Sequence, residues 1–244
     1  MQEQKTAVVS VDFNPPIDIP LRAAEELRSL GRRTKLVCGA SIRAEDISHA
    51  VYYVLSGYLK VVVQVDDEHS HIIGIHGPGT LVGFVSLLDG LPNWYDSVAQ
   101  TDVELLAIPR SRLNRWIMEE ESRRELAIRI LCERVRSVTS ISMDYAVNPR
   151  RRLARRLLRV ANAIGRNSGN KAVMDIRFSQ EDWAAMAGVS RQTLNGLFAS
   201  FRRDNIIRLD RGLIVIDDMS LLHQIAMGEE SSVPVRRQLD SPVI

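Results

Sequence analysis

Three polar side chains near the middle of the last third of the chain, Arg191, Gln192 and Asn195, stand at positions i, i+1 and i+4 of a segment that reads as a helix. At that spacing they share the outward face of the first turns, while Leu194, Leu197, Phe198 and Phe201 fall on the inward face. Arginine can bind guanine through two hydrogen bonds, and glutamine and asparagine can do the same with adenine, so this face is a candidate base-reading set. Just upstream, Ser179 with Asp182 three residues on marks a helix start, and Trp183, Met186 and Ala187 give that helix an inward side. Gly188-Val189-Ser190 then makes a tight turn, with Ser190 capping the second helix through about Arg203. Helix, glycine turn, helix is the arrangement that projects one helix into a major groove. Gly196 in mid-helix costs roughly 1 kcal/mol against alanine, which close approach to a backbone or groove would justify.

Ile206 to Leu209 and Leu213 to Asp217 flank Asp210-Arg211-Gly212 and read as a hairpin, completing a winged helix. Arg202, Arg203, Arg208 and Arg211, with the hydroxyls of Ser179, Ser190 and Thr193, are the candidate contacts to the DNA backbone, which position a protein without reading sequence. Charge divides the same way. Met1 to Val147 carries 16 Lys and Arg against 20 Asp and Glu, a net of −4, while Asn148 to Gly228 carries 14 against 7, a net of +7. An acidic front and a basic back suggest two jobs, the second directed at a polyanion.

The elements that must hold these groups follow from hydrophobic period. The 244 residues, 45% hydrophobic and 25% charged, suffice for one large or two modest folded units. No apolar run approaches a membrane span, and Met1 to Pro20 lacks a secretory layout, so no membrane contact and a cytoplasmic location are expected. Between Lys35 and Ile108, short runs rich in Val and Ile (Tyr52 to Leu55, Leu59 to Val65, His71 to Ile75, Val98 to Gln100, Val103 to Ile108) predict an antiparallel β-roll. Turns are expected at Ser56-Gly57, Asp66-Asp67, Gly77-Pro78-Gly79 and Asp89-Gly90. A helix over Leu21 to Leu30 precedes them, with Gly31 as a left-handed cap. Ser111 can cap a short helix through Met118, and a longer helix from about Ser122 to Tyr145 carries an apolar stripe of Ala127, Leu131, Val135, Val138, Ile141 and Tyr145. Pairing with a second copy along Leu131, Val135, Val138, Ile141 and Tyr145 covers that stripe economically; the alternative is a helix that packs only on its own β-domain. Asn148-Pro149 starts a new, arginine-rich helix to Ile164, and Gly165 to Asn170 reads as a polar loop. The expected organisation is a tail over 1–20, a β-roll over 21–110, helices over 111–147, a winged helix-turn-helix over 148–228 and a disordered tail over 229–244, an α+β protein.

Catalytic signatures such as Gly-x-Ser-x-Gly, a Walker loop or His-Glu-x-x-His do not occur, so no enzyme and no catalytic residue is expected. Cys38 and Cys132 form no Cys-x-x-Cys pair and read as buried small hydrophobes. His49, His69, His71 and His76 would be the source of any haem ligand, but His69-x-His71 in a turn reads as solvated, so no metal site is assigned.

From Leu21 to Met227 the chain resembles the Crp/Fnr family of bacterial transcription regulators. Tyr53-Val54-Leu55-Ser56-Gly57-Tyr58-Leu59-Lys60 is similar to the family's first β-roll hairpin, Gly77-Pro78-Gly79-Thr80-Leu81-Val82-Gly83 to its central glycine turn, and Gly188-Val189-Ser190-Arg191-Gln192-Thr193-Leu194 to its recognition-helix entry. The resemblance implies a homodimer joined along the long helix, a β-roll that senses an effector, a roughly palindromic duplex site, RNA polymerase as a partner, and promoter activation or repression. Arg191 matches the family's guanine-reading arginine; Gln192 stands where many members have glutamate and Gly196 where some have a second arginine, so the operator should differ from that of the cyclic AMP receptor.

The effector pocket departs from the family's cyclic-nucleotide binders. Phe84 replaces the ribose-binding glutamate, and Trp94-Tyr95-Asp96 occupies the region of the phosphate-binding arginine and serine, so a phosphate would meet aromatics and a carboxylate in place of a fixed cation. Thr139 and Ser140 look similar to the family's adenine-contacting pair. The expected effector is an unknown small molecule less polar than cyclic AMP, lined by Phe84, Val85, Trp94, Tyr95, Thr139 and Ser140, with Trp116 nearby, and no cofactor is assigned. The alternative is a ligand-independent regulator whose β-roll is only structural.

Overall fold

The computed structural model describes residues 19–66 and 70–229. The N-terminal tail and the C-terminal tail expected to be disordered lie largely outside those residues, as do Asp67 of the expected turn and His69.

Helix α1 (Leu21–Leu30) leads through Gly31 into β1 (Arg32–Leu36). Gly31 is extended (φ −129°, ψ 178°), not left-handed. Its glycine is required by proximity instead: a Cβ there would sit 2.6 Å from the Ala107 carbonyl oxygen. Strands β2 (Ser41–Ile42), β3 (Ala50–Ser56), β4 (Leu59–Gln64), β5 (Ser70–His76) and β6 (Leu81–Val82) follow, then helix α2 (Phe84–Asp89), β7 (Asp96–Ala99) and β8 (Val103–Pro109). They form two antiparallel sheets, ordered β1-β8-β3-β6 and β2-β7-β4-β5. Side-chain alternation gives the first sheet two jobs. Val54 of β3 and Val103 and Leu105 of β8 pack with Ile42, Leu59 and Ala99 of the second sheet, closing the roll. Val51, Tyr53, Leu106 and Ile108 face the other way, onto α1 and two further helices, α3 (Arg110–Glu119) and α4 (Glu121–Asp144).

Helix α3 starts at Arg110 without a side-chain cap, so Ser111 lies inside its first turn and does not cap it. Trp116 on α3 is buried among these helices and donates its indole N–H to Glu26 Oε2 at 2.9 Å, where it serves the core. After α4, the Asn148 side chain accepts from the Arg151 amide at 2.9 Å and caps α5 (Pro149–Ile164).

The stretch from Gly165 that reads as a polar loop is a small hairpin of β9 (Gly165–Ser168) and β10 (Lys171–Met174). Helices α6 (Gln180–Ala187) and α7 (Arg191–Arg203), strands β11 (Ile207–Asp210) and β12 (Leu213–Ile216), and α8 (Met219–Met227) complete the chain. The third sheet runs β11-β12-β10-β9. A single core joins α5, α6, α7, α8 and this sheet, and Ile72 and Ile75 of β5 belong to it. Lys60 Nζ on β4 also meets Asp182 Oδ1 on α6 at 2.7 Å, with both side chains largely shielded from water. The C-terminal unit is therefore seated directly on the β4–β5 face of the roll.

Candidate nucleic-acid interface and ligand cavity

Local chemistry builds the helix-turn-helix. Ser179 Oγ accepts from the Asp182 amide at 3.0 Å, and Asp182 Oδ2 accepts from the Ser179 amide at 2.9 Å, a reciprocal cap for α6. Gly188 ends α6 at φ +59°, ψ 49°, a conformation that side chains resist. Ser190 Oγ accepts from the Thr193 amide at 3.1 Å and starts α7. Leu194, Phe198 and Phe201 are buried, and Phe178, Trp183 and Phe198 pack edge to face at 5.6 and 6.3 Å. Arg150 of α5 braces α7 from behind, its guanidinium 4.8 Å from the Phe201 ring centre and 2.9 Å from Asp204.

The opposite face is open. Arg191, Gln192, Thr193 and Asn195 are all exposed, and Arg191 meets Glu181 at 2.9 Å. A Cβ on Gly196 would find nothing within 4 Å among the described residues, so none of them demands a glycine there. Arg202, Arg203, Arg208 and Arg211 are exposed on the same unit. The wing turn carries positive φ at Arg211 (49°) and Gly212 (82°), and Arg208 is tethered at 3.1 Å to Asp217 and 3.5 Å to Asp210.

Not all of the basic excess lies on this surface. Arg152, Arg156 and Arg159 of α5 are buried, so the +7 count overstates the exposed charge. Arg155 and Arg159 both bond the buried carboxylate of Asp144 at the end of α4, Arg155 at 2.9 Å. The cluster anchors α4 to the C-terminal unit. Burial is the main reason the Arg156 pKa falls to about 10, so it stays a cation at neutral pH.

A cavity of about 720 Å³ lies between the β4–β5 strands, α2 and α4. Phe84, Val85, Trp94, Tyr95 and Thr139 line it as expected, joined by Val61, Val63 and Ile73 of the sheet. Ser140 does not: its hydroxyl points to α5 and accepts from Arg159 at 2.8 Å. Trp116 is absent from the lining as well. Asp96 is spent elsewhere, accepting from the Ala44 amide at 2.8 Å. The expectation of no fixed cation is corrected by Arg134 of α4, which lines the cavity and donates to His76 Nε2 at 3.3 Å and to the Leu81 carbonyl at 3.4 Å. The signal was present in the sequence: Arg134 falls on the buried helical face of Ala127, Ile130, Ser137 and Ile141.

Burial, then the Arg134 charge, holds the His76 pKa well below its usual range, so this imidazole is neutral near pH 7. Burial likewise raises Tyr95, keeping a phenol that accepts from the Gly83 amide at 3.3 Å. Among the described residues, no group of three or more His, Cys, Asp and Glu could hold a metal ion.

Ile128, Val135 and Val138 stay exposed on α4, at 61%, 65% and 52%, with Tyr145 at 45%. Ala127 and Ile141 of the expected stripe are instead covered by their own chain, and Leu131 is partly covered. The uncovered apolar face is thus rotated toward Ile128 and includes Cys132, which is exposed, as is Cys38, contrary to the expected burial. No helix among the described residues is long and apolar enough to cross a membrane.

A β-roll joined by a long helix to a winged helix-turn-helix defines a two-part DNA-binding regulator. A family model described as a cyclic nucleotide-binding domain matches residues 41–120, and one described as a Crp-like helix-turn-helix domain matches residues 151–225. The chain belongs to the Crp/Fnr family of transcription regulators. It is 27% identical over 173 residues to the CRP-like cAMP-activated global transcriptional regulator of Mycobacterium tuberculosis, covering 70% of this chain and 77% of that one. It is 28% identical over 187 residues to the cyclic AMP receptor protein of Thermus thermophilus, covering 75% and 82%. Among solved structures, a transcriptional regulator of the CRP/FNR family from Thermus thermophilus superposes with a TM-score of 0.66 at 21% identity over 80% of this chain and 98% of that one.

Proposed function

We propose that this protein is a cytoplasmic homodimer that binds a roughly palindromic duplex site through Arg191, Gln192 and Asn195, and that an effector other than cyclic AMP acts through its β-roll. The observation that carries the DNA reading is the exposed base-reading set on α7, held by an opposite face on which Leu194, Phe198 and Phe201 are buried and Leu197 is partly buried. Ser179, Ser190, Thr193, Arg202, Arg203, Arg208 and Arg211 would grip phosphates beside it. We place the boundary between the two units at Asn148, where α5 is capped. RNA polymerase is the downstream partner that the family implies. The cavity supports a sensor over a purely structural roll, and Phe84 at the ribose-binding position and Trp94 near the phosphate region argue against cyclic AMP.

Genomic footprinting would supply the operator, and anisotropy titrations on it test the assignment. Arg191→Ala should cost about 1–3 kcal/mol on the operator and much less on random duplex; equal losses would move Arg191 to the phosphate contacts. Arg208→Ala should weaken every duplex alike and flatten the salt dependence. An unchanged salt slope would remove Arg208 from the interface. DNA affinity that no small molecule alters would favour the ligand-independent reading.

A further inference from the structure

Resting on the reading of this cavity as an effector site, we propose that its ligand is an amphiphilic carboxylic acid whose carboxylate sits between the Arg134 guanidinium and the Tyr95 hydroxyl, with an apolar body along Val61, Val63, Ile73 and Trp94. Four observations converge on that class. Among the described residues, the lining contains no Asp or Glu, and Arg134 is its only lysine or arginine. Arg134 has no ion pair among the described residues; Glu133, its chain neighbour, acts on it only through space. Two of its five donors are engaged, at 3.3 and 3.4 Å, longer than the usual 2.7–3.2 Å, so the guanidinium keeps capacity for a planar, two-oxygen acceptor. Tyr95 receives the Gly83 amide on its oxygen, which leaves its own O–H to donate, and its ring lies edge-on to His76, 5.9 Å away.

The neutral His76 supplies no competing positive charge, and it accepts the Arg134 N–H, which orients the guanidinium. A cation shielded from water without a counter-ion is costly, and an incoming carboxylate offsets that cost where a neutral ligand of the same shape does not. The rest of the wall is mostly aliphatic and aromatic; its other polar groups are His71, Tyr145 and the hydroxyls of Ser137, Thr139 and Ser142, and among the described residues it offers no partner for a second charge.

Calorimetric titration of the full-length protein, without DNA, separates the charge from the body. Phenylbutyrate and decanoate are compared with phenylbutanol and decanol, so the aromatic and alkyl arms identify the body, and cyclic AMP serves as competitor. At least one acid should bind about 10- to 100-fold more tightly than its alcohol. Arg134→Met should abolish that preference while leaving alcohol binding intact, and Tyr95→Phe should reduce it. Acids and alcohols that bind equally, an absence of binding by both acids, tighter binding of cyclic AMP, or a preference that survives Arg134→Met would each overturn the assignment. Should Arg134→Met fail to fold by circular dichroism, the wild-type comparison and Tyr95→Phe decide. Operator binding is scored separately, so loss of the carboxylate preference leaves the DNA reading standing, and loss of duplex preference leaves the carboxylate result standing.

Discussion

Gly196 and His76 show how single residues reveal what the chain is built for. Nothing in the described chain would meet a side chain at Gly196, and its helical position costs about 1 kcal/mol against alanine. Gly196→Ala should therefore raise stability in urea by about that amount while lowering affinity for the operator. A variant that is more stable and binds DNA as well as the parent would show that no groove approaches this position. His76 titrates below its ordinary value of 6.5, so the folded state binds fewer protons than the unfolded chain once pH falls below about 6.5. Stability is complete above that value and falls with acid, with a slope of up to about 1.4 kcal/mol per pH unit. Urea melts at pH 7.5 and 5.5 should show a larger loss for the parent than for His76→Gln; equal losses would place the acid sensitivity elsewhere. The outward residues of α7 were legible because capping serines and inward aromatics fix which face of the helix is outside. Arg134 was not, because Arg129, Glu133 and Arg136 around it read as a solvated helix face and only its register with Ile130 and Ser137 reveals the inward aim.

Among the elements, those governed by local rules were readable. Helix α1 spans Leu21–Leu30 as its period requires, and α5 begins at Pro149 behind an asparagine cap. Strands that exist because a partner pairs with them were not. The β1 sequence Arg32–Leu36 is mostly charged and four of its five residues are exposed, yet it pairs along five residues of β8. The hairpin of β9 and β10 hides in the same way behind the polar run from Gly165. Helix α4 poses the reverse case, an apolar face that nothing among the described residues covers. If two copies pair there, Ile128→Glu with Val135→Glu places like charges across the two-fold axis and should give monomers at micromolar concentration in sedimentation velocity. A double variant that sediments as a dimer would move the interface off α4.

For the whole molecule, the docking of the C-terminal unit on the roll decides what the two halves can tell each other. Lys60 and Asp182 form an ion pair in which the side chains are only 17% and 13% exposed, well beyond the surface pairs that contribute little. Lys60→Met removes that tie and should cost about 1–3 kcal/mol in global unfolding. Faster proteolysis near Asn148 should accompany it, and an unaltered cleavage rate would mean that the apolar contacts of Ile72 and Ile75 suffice.

Strand β4 has a different audience on each side. Val61 and Val63 border the cavity, while Lys60 and Val62 abut the unit that carries α7. The compartment wall is thus one backbone thick, and the cavity and the unit that carries α7 share a partition no wider than a single pleat, like the two sides of a drumskin.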